Sequence, residues 1–199
     1  MKTGGIVLCG GRSSRMGQPK PMLPFGGEPM LLRVARVVQE VVEPVVVVAG
    51  VRQPLPPLPA SLILARDRCE DRGPLEGLAV GLATLGHEVD AAFVTSCDVP
   101  LLLPAFVRRI VELAQGYDAA APYLEGFYEP LAAVYRACLL PRVEVLLAAG
   151  RLRPVYLLEA ARTRRVLAHE LTDVDPHLQS LQNVNTPAAY QAALRHAGG

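Results

Sequence analysis

Short apolar runs alternate along the chain with longer stretches in which apolar residues recur at helical spacing. The apolar runs are rich in β-branched residues and lack strict alternation with polar ones, as strands buried on both faces do. Strands are predicted at residues 5–9, 45–49, 61–65, 91–95, 118–122 and 165–170. Helices are predicted at residues 30–42, from Pro74 onward, and at residues 104–115, 138–149, 155–161 and from Pro187. This order predicts a three-layer α/β/α fold with a mostly parallel central sheet, in one domain over residues 1–199.

The first apolar run opens into a loop that is rich in glycine and cations. Gly10 and Gly11 allow a sharp turn and a close approach of the backbone to a ligand, and consecutive amides in such a turn bind anions. Arg12, Arg15 and Lys20 add positive charge, and no acidic residue occurs in the first 27 positions. The loop therefore predicts a polyphosphate site, although a glycine pair after a strand is also typical of an ordinary turn.

A carboxylate follows the predicted strand at residues 91–95. Ligands of such sheets bind beyond the carboxyl ends of the strands, and Asp98 lies at such an end, within Cys97-Asp98-Val99-Pro100. Mg²⁺ is commonly held by one or two carboxylates together with substrate phosphates. Asp98 could instead cap a turn or a helix. However, the next helix is predicted to begin at Pro104, which lies too far downstream for Asp98 to be its N-cap. We therefore expect Asp98 to bind a metal near a nucleoside triphosphate.

Residues 8–20 resemble the signature of the molybdenum cofactor nucleotidyltransferases, which belong to the nucleotide-diphospho-sugar transferase-like group. Here the signature reads Leu8-Cys9-Gly10-Gly11-x-Ser13-x-Arg15-Met16-Gly17-x-x-Lys20. The P-loop and the G-x-G-x-x-G pattern are both absent. The resemblance extends over nearly the whole chain, and it implies a Rossmann-like nucleotidyltransferase fold. The segment Gly73-Pro74-Leu75-Glu76-Gly77 is similar to the guanylyl branch of the family.

The resemblance also implies roles for particular residues. Those implied to bind the nucleotide are Leu8, Cys9, Gly10, Gly11, Lys20, Asp67, Gly73 and Asp98. Those implied to act in catalysis are Arg15, Lys20 and Asp98, with Asp98 as the Mg²⁺ ligand, and those implied to bind the pterin substrate are Asn183 and Asn185. Two positions depart from the family: Glu76 replaces a small residue, and no polar side chain is found at residues 48–50, where the family has a base contact.

The implied reaction is transfer of GMP from GTP to the phosphate of molybdopterin, with release of pyrophosphate. Cofactor-insertion proteins and acceptor molybdoenzymes are the implied protein partners. Two alternatives stay open at this point. The chain could be a related nucleotidyltransferase that uses CTP or another phosphorylated acceptor, or a non-catalytic nucleotide-binding protein that assists cofactor insertion.

Composition narrows the class of protein further. The formal net charge is +1, so no general basic field for nucleic acid is expected. No apolar stretch approaches the ~20 residues of a membrane span, and no signal peptide is recognised, so we expect a cytoplasmic protein. The four cysteines form no C-x-x-C pair, as in a protein of a reducing compartment. Five arginines between residues 151 and 165 indicate a solvated face, with a clamp for an anionic substrate as the alternative.

Overall fold

The computed structural model describes residues 1–10 and 19–197, and an eight-stranded sheet lies at its centre. The strands are β1 (Thr3–Leu8), β2 (Pro24–Phe25), β3 (Glu28–Pro29), β4 (Val45–Ala49), β5 (Leu62–Arg66), β6 (Ala91–Ser96), β7 (Ala119–Leu124), β8 (Phe127–Tyr128), β9 (Ala132–Arg136) and β10 (Thr163–Val166). The α-helices are α1 (Met30–Gln39), α2 (Gly73–Leu85), α3 (Pro104–Leu113), α4 (Leu140–Ala148), α5 (Val155–Ala160) and α6 (Pro187–Ala197).

The strands of the central sheet are arranged in the order β10-β7-β9-β6-β1-β4-β5, and β8 pairs with β7. Strand β1 runs parallel to both β4 and β6, while β4 and β5 are parallel, as are β7 and β10. Strand β9 runs antiparallel to β6 and β7. The prediction of a mostly parallel sheet is therefore confirmed. The short strands β2 and β3 form a separate ribbon.

Helices cover both faces of the sheet. Val34 of α1 and Phe106 of α3 are fully buried in one apolar cluster, together with Val7 and Val47 of the sheet. Residues of α2, α4 and α5 are buried in a second cluster on the opposite face, where they meet Ile6 and other residues of the sheet. The predicted three-layer arrangement is confirmed. No helix within the described ranges is long and apolar enough to cross a bilayer.

One predicted element is wrong in part. The late strand expected at residues 165–170 is β10, which ends at Val166, and residues 168–170 form a 3-10 turn. The Glu170 carboxylate accepts a hydrogen bond from the Leu167 amide at 3.0 Å and another from Arg164 at 2.5 Å. A side chain that binds nearby backbone in this way competes with an extended ladder. By contrast, the last helix begins at Pro187 as predicted, and Thr186 caps it, because the Thr186 hydroxyl accepts from the Ala189 amide at 3.1 Å.

Two glycines allow α2 to lie close against the sheet, as their shared side of the helix predicts. A Cβ at Gly77 would lie 2.9 Å from Leu8, and one at Gly81 would lie 2.7 Å from Ile6. Contacts this short would require the Leu8 and Ile6 side chains, or the helix itself, to shift. The carboxyl end of β1 and the start of α2 are thereby held together, and this is where the site lies.

The packing at Gly81 leads to a test of stability. We expect Gly81→Ala to lower the free energy of unfolding by about 1–3 kcal/mol, because the added methyl group overpacks a filled core. Urea denaturation measures the change. Ala83→Leu is the matched control, because it adds bulk to an exposed position of the same helix and should change stability by less than about 0.5 kcal/mol. Equal stability of Gly81→Ala and the wild type would contradict the close approach.

Candidate active site

A cleft of about 700 Å³ opens at the carboxyl ends of β1, β4 and β5. Its walls include residues from these strand ends, from the start of α2 and from the segment before β9. They include Leu8, Gly10, Val48, Gln53, Asp67, Gly73, Gly77, Ser96 and Leu131. Four predicted nucleotide-binding residues, Leu8, Gly10, Asp67 and Gly73, are thus brought together. A volume of this size is typical of a small-molecule site.

Asp67 is one of the charged residues that line the cleft. It follows β5, and its amide donates to the Ala49 carbonyl at 2.9 Å. Among the described residues, its buried Oδ1 atom has no hydrogen-bond partner. Burial, and after it the charge of Glu76, raise the pKa of Asp67 to about 6. A buried acceptor without a partner is costly for the free protein, so this carboxylate is suited to a ligand that brings donors.

Gly10 provides the space above that carboxylate. A Cβ at Gly10 would lie 3.3 Å from Asp67 Oδ2, so a side chain there would crowd the position of a ligand. Gly73 faces the cleft from the start of α2 with a φ of +69°, a conformation that favours glycine. Cys9, also predicted to bind the nucleotide, is buried and is not among the residues that line the cleft; its amide donates to the Val48 carbonyl at 2.8 Å.

Gln53 contributes an amide side chain that the sequence analysis did not identify. Its Nε2 atom donates to the Cys9 carbonyl at 2.7 Å, and its Oε1 atom accepts from the Gly50 amide at 3.1 Å. The side chain therefore ties the turn after β4 to the end of β1. It supplies a polar group near the position where residues 48–50 have none. No periodicity or motif distinguishes Gln53 in its proline-rich segment, because its role depends on how the turn folds back.

Glu76, which departs from the family pattern, is neutralised by arginine. It is 1% exposed, and its carboxylate accepts from Arg68 at 2.7 and 3.2 Å. Arg68 also donates to Glu144 on α4 at 2.9 Å, so it links α2 to α4. A buried carboxylate needs such a partner. This carboxylate therefore repels an incoming phosphate less than its sequence position suggests, and Arg68 was not identified from the sequence.

A second polar cluster lies next to the cleft, where β6 ends. Lys20 Nζ donates to Asp98 Oδ2 at 2.8 Å and also binds Asn185 Oδ1. The Ser96 hydroxyl donates to Asp98 Oδ1 at 2.5 Å, and Ser96 also lines the cleft. The Val184 amide donates to the Asp98 carbonyl at 2.7 Å, which anchors the segment after residue 182. Lys20, Asp98 and Asn185 were predicted from distant stretches of sequence, and they meet here.

These residues fit a divalent cation. Two oxygens, from Asp98 and Asn185, converge on the single cationic nitrogen of Lys20. Carboxylate and amide oxygens are the ligands that hard cations such as Mg²⁺ prefer. Within the described residues there is no group of three or more acidic, histidine or cysteine side chains placed to hold a metal. A cation held here would therefore need further oxygens, which triphosphates provide.

Some predicted residues are not part of this arrangement. Gly11 and Arg15 lie outside the described residues. Asn183 is exposed, and it makes no hydrogen bond with any residue in the described part of the chain. The arginines between residues 151 and 165 do not converge: Arg162 stacks on Tyr117, Arg164 pairs with Glu170, and Arg165 stacks on Tyr123 and Tyr128. Separate contacts of this kind favour the solvated face over the clamp.

Comparison with known proteins gives the family. Residues 5–166 match the MobA-like NTP transferase domain. A molybdenum cofactor guanylyltransferase from Desulfosudis oleivorans is 35% identical over 191 residues, which cover 95% of this chain and 93% of that protein. The fold is similar to that of molybdopterin-guanine dinucleotide biosynthesis protein A from Archaeoglobus fulgidus, with a TM-score of 0.80 and 22% identity over 100% and 99% of the two chains. It is also similar to Rv0371C from Mycobacterium tuberculosis in complex with manganese, with a TM-score of 0.68 and 16% identity over 98% and 99%. The chain belongs to the family of MobA-like NTP transferases.

Proposed function

We propose that this protein transfers GMP from GTP to the phosphate of molybdopterin, with release of pyrophosphate and formation of the guanine dinucleotide cofactor. The observation that carries the proposal is the placement of two unlike polar groups at one sheet edge. Asp67, whose buried Oδ1 atom has no partner among the described residues, lines the cleft, and Lys20, Asp98 and Asn185 lie beside the cleft. The Asp67 carboxylate suits a nucleotide base, and the cluster around Lys20 suits a triphosphate.

The chemistry of Asp67 favours guanine over cytosine. An ionised carboxylate only accepts hydrogen bonds, and guanine presents two adjacent donors on one edge, its ring N–H and its amino group. Cytosine presents one amino donor beside a ring nitrogen that accepts, so a carboxylate would face a like group there. The ionised carboxylate is thus matched to the guanine edge, and this supports GTP over CTP as the donor.

The reaction needs positioning and neutralisation of charge more than a protein nucleophile. Lys20 holds positive charge where the triphosphate meets the end of β6, and Ser96 fixes the Asp98 carboxylate through one oxygen. The attacking group is a phosphate oxygen of the acceptor, which is already ionised and needs no general base. It forms a bond to the α-phosphorus while the bond to pyrophosphate breaks. Asp98 and Asn185 would hold Mg²⁺, which when bound neutralises charge on the phosphate oxygens.

The proposal includes the setting of the reaction. All four cysteines are free, with Cys9 and Cys97 buried and Cys69 and Cys138 exposed, which supports a reducing cytoplasm. Acceptor molybdoenzymes and cofactor-insertion proteins are the partners we expect to receive the product. The geometry at Asp98 favours catalysis over a purely binding role, because base binding alone does not need a lysine–carboxylate–amide cluster at the phosphate end.

A thermal-shift panel tests the choice of nucleotide. GTP with Mg²⁺ should raise the melting temperature by several degrees, since ligand at 100 times its Kd stabilises by about 2.7 kcal/mol. CTP, UTP and ITP are the comparisons, and ITP differs from GTP only by the missing amino group. We expect all three to give smaller shifts. Equal shifts from GTP and ITP would remove the proposed role of Asp67, and pyrophosphate release without molybdopterin turnover would favour the non-catalytic alternative.

A further inference from the structure

The hairpin of β7 and β8 stands at the same edge of the sheet as the cleft. Strand β9 is antiparallel to both β6 and β7, so those two strands point the same way and their carboxyl ends share one edge. The turn of the hairpin is Glu125-Gly126, where φ is +50° and +90°. Positive φ at both positions is typical of a tight two-residue hairpin turn. The hairpin therefore extends the edge beyond the cleft on the side away from β4 and β5.

The register of the sheet brings Glu129 toward Asp98. The last pair of the β6–β9 ladder at this edge is Thr95 with Ala132. Asp98 comes three residues after Thr95, and Glu129 comes three residues before Ala132. Asp98 thus lies just beyond the end of β6 and Glu129 just before the start of β9, so both lie at this edge on neighbouring strands, which are about 5 Å apart. Leu131, two residues after Glu129, lines the cleft itself.

Glu129 is a partly buried carboxylate for which the described chain provides no partner. Its amide donates to the Pro122 carbonyl at 2.9 Å, so the pairing of the hairpin continues to this residue. No hydrogen bond or ion pair to its carboxylate is found among residues 1–10 and 19–197. Burial raises the pKa of Glu129, as it does for Asp67. Unlike the buried oxygen of Asp67, this carboxylate is partly exposed, so it is open to a ligand that brings donors.

Phe127 lies two residues before Glu129 on the hairpin. Residues two apart on an extended strand line one face, and the hairpin pairing that reaches Glu129 places Phe127 and Glu129 on the same face. Phe127 is 74% exposed, more than any other large apolar residue among the described ones. An exposed aromatic ring next to an acceptor matches a flat heterocycle, which stacks on the ring and donates from its edge.

We propose that Phe127 and Glu129 bind the pterin ring of the acceptor, with Phe127 stacking on the ring and Glu129 accepting from its amino group and ring N–H. The inference rests on the proposed function for the identity of the acceptor. Pterin and guanine present the same edge, with an amino group beside a ring N–H. Glu129 would therefore accept hydrogen bonds from the pterin of molybdopterin in the way that Asp67 accepts them from the guanine of GTP. A phosphate at this position would meet repulsion from Glu129, whereas a ring that donates hydrogen bonds is held by it. The acceptor phosphate then lies toward Asp98 and its ring toward the tip of the hairpin.

Binding of a ring fragment tests the proposal apart from catalysis. The full chain, with Mg²⁺ and a non-hydrolysable GTP analogue, is titrated with 6-hydroxymethylpterin and with 6-hydroxymethyllumazine, in which a carbonyl replaces the amino group. We expect the wild type to bind the pterin at least about 10-fold more tightly than the lumazine. Phe127→Ala and Glu129→Gln should each weaken pterin binding by about 10-fold or more. In steady-state assays both should raise the KM for molybdopterin and leave the KM for GTP unchanged.

Two matched variants control for general effects. Val145→Ala shortens another exposed apolar residue, which is 68% exposed on α4, and Glu125→Gln removes a charge at the turn of the same hairpin. Both should bind the pterin as the wild type does. Unchanged pterin binding in Phe127→Ala and Glu129→Gln, or no pterin binding by the wild type, overturns the inference. Loss of GTP and Mg²⁺ binding in Glu129→Gln, with pterin binding retained, also overturns it. Absence of GMP transfer by the wild type would instead refute the proposed function.

Discussion

Replacing Asp98 with Asn should lower the rate of GMP transfer by at least about 10³-fold. A single electrostatic group at a reacting centre commonly contributes 10²- to 10³-fold, and a metal ligand contributes more. Asn keeps the shape of the side chain and removes the charge that pairs with Lys20 at 2.8 Å. Pyrophosphate release in the presence of GTP, Mg²⁺ and molybdopterin measures the loss. The substitution should lower kcat more than it raises KM. Stabilisation of phosphate charge by the group at Asp98 matters most while the bond to the α-phosphorus forms.

A matched substitution shows whether the loss is specific to the site. Asp173 also pairs with an arginine, Arg109, at 2.7 Å, but it lies away from the cleft and is exposed. Asp173→Asn should leave the rate within about twofold of the wild type, because exposed ion pairs contribute little. Melting temperatures of both variants establish that they are folded. Turnover by Asp98→Asn near that of Asp173→Asn would contradict the assignment of Asp98 to the reaction.

The sequence was sufficient to place Lys20, Asp98 and Asn185 in one site, although they are far apart along the chain. Parallel strands align their carboxyl ends, so residues that follow β1 and β6 must meet at one edge. Asn185 was identified through family resemblance and not by this rule. Its neighbour Val184 is hydrogen-bonded to the Asp98 carbonyl at 2.7 Å, which is the physical reason that it belongs there.

The contacts made by irregular segments could not be predicted in this way. Gln53 reaches Cys9 because the turn after β4 folds back, and Arg68 reaches Glu76 and Glu144 because α2 and α4 pack together. Neither position has a periodic pattern or a motif. Glu76 was recognised from the sequence as a departure from the family pattern, and a buried carboxylate needs a cationic partner, which is Arg68. The chemistry was thus accessible from the sequence, and the identity of the partner required the fold.

Replacing Asp67 with Asn should weaken GTP binding by about 100-fold and convert the preference to XTP. The Asn amide keeps one acceptor and gains a donor, so it opposes the amino group of guanine. Xanthine carries a carbonyl at that position, which accepts from the Asn side chain and restores the match. A site built to hydrogen-bond one edge discriminates strongly against an edge that leaves its groups unpaired. Titration of GTP and XTP into the wild type and the variant measures the change of preference. Asp71→Asn, which replaces another carboxylate that lines the same cleft, is the control substitution.

The same substitution should stabilise the free protein at neutral pH. The folded pKa of Asp67 is about 6, above the ordinary value of 3.8. Ionisation therefore costs more in the folded state, and the contribution of Asp67 to the free energy of unfolding falls as the pH rises from about 4 through 6. Asp67→Asn removes this cost, so its melting temperature should exceed that of the wild type at pH 8, with the difference closing toward pH 4.

Ligand binding should respond to pH in the opposite direction. GTP needs the ionised carboxylate as an acceptor, so the affinity of the wild type for GTP should decline as the pH falls below about 6. The Asn side chain does not titrate, so this decline should be absent from the affinity of the variant for GTP, which is weaker throughout. Parallel pH profiles for the two proteins would show that Asp67 does not contact the base. If Asp67→Asn is more stable than the wild type but its preference between GTP and XTP is unchanged, Asp67 has a structural role in the cleft and does not recognise the base.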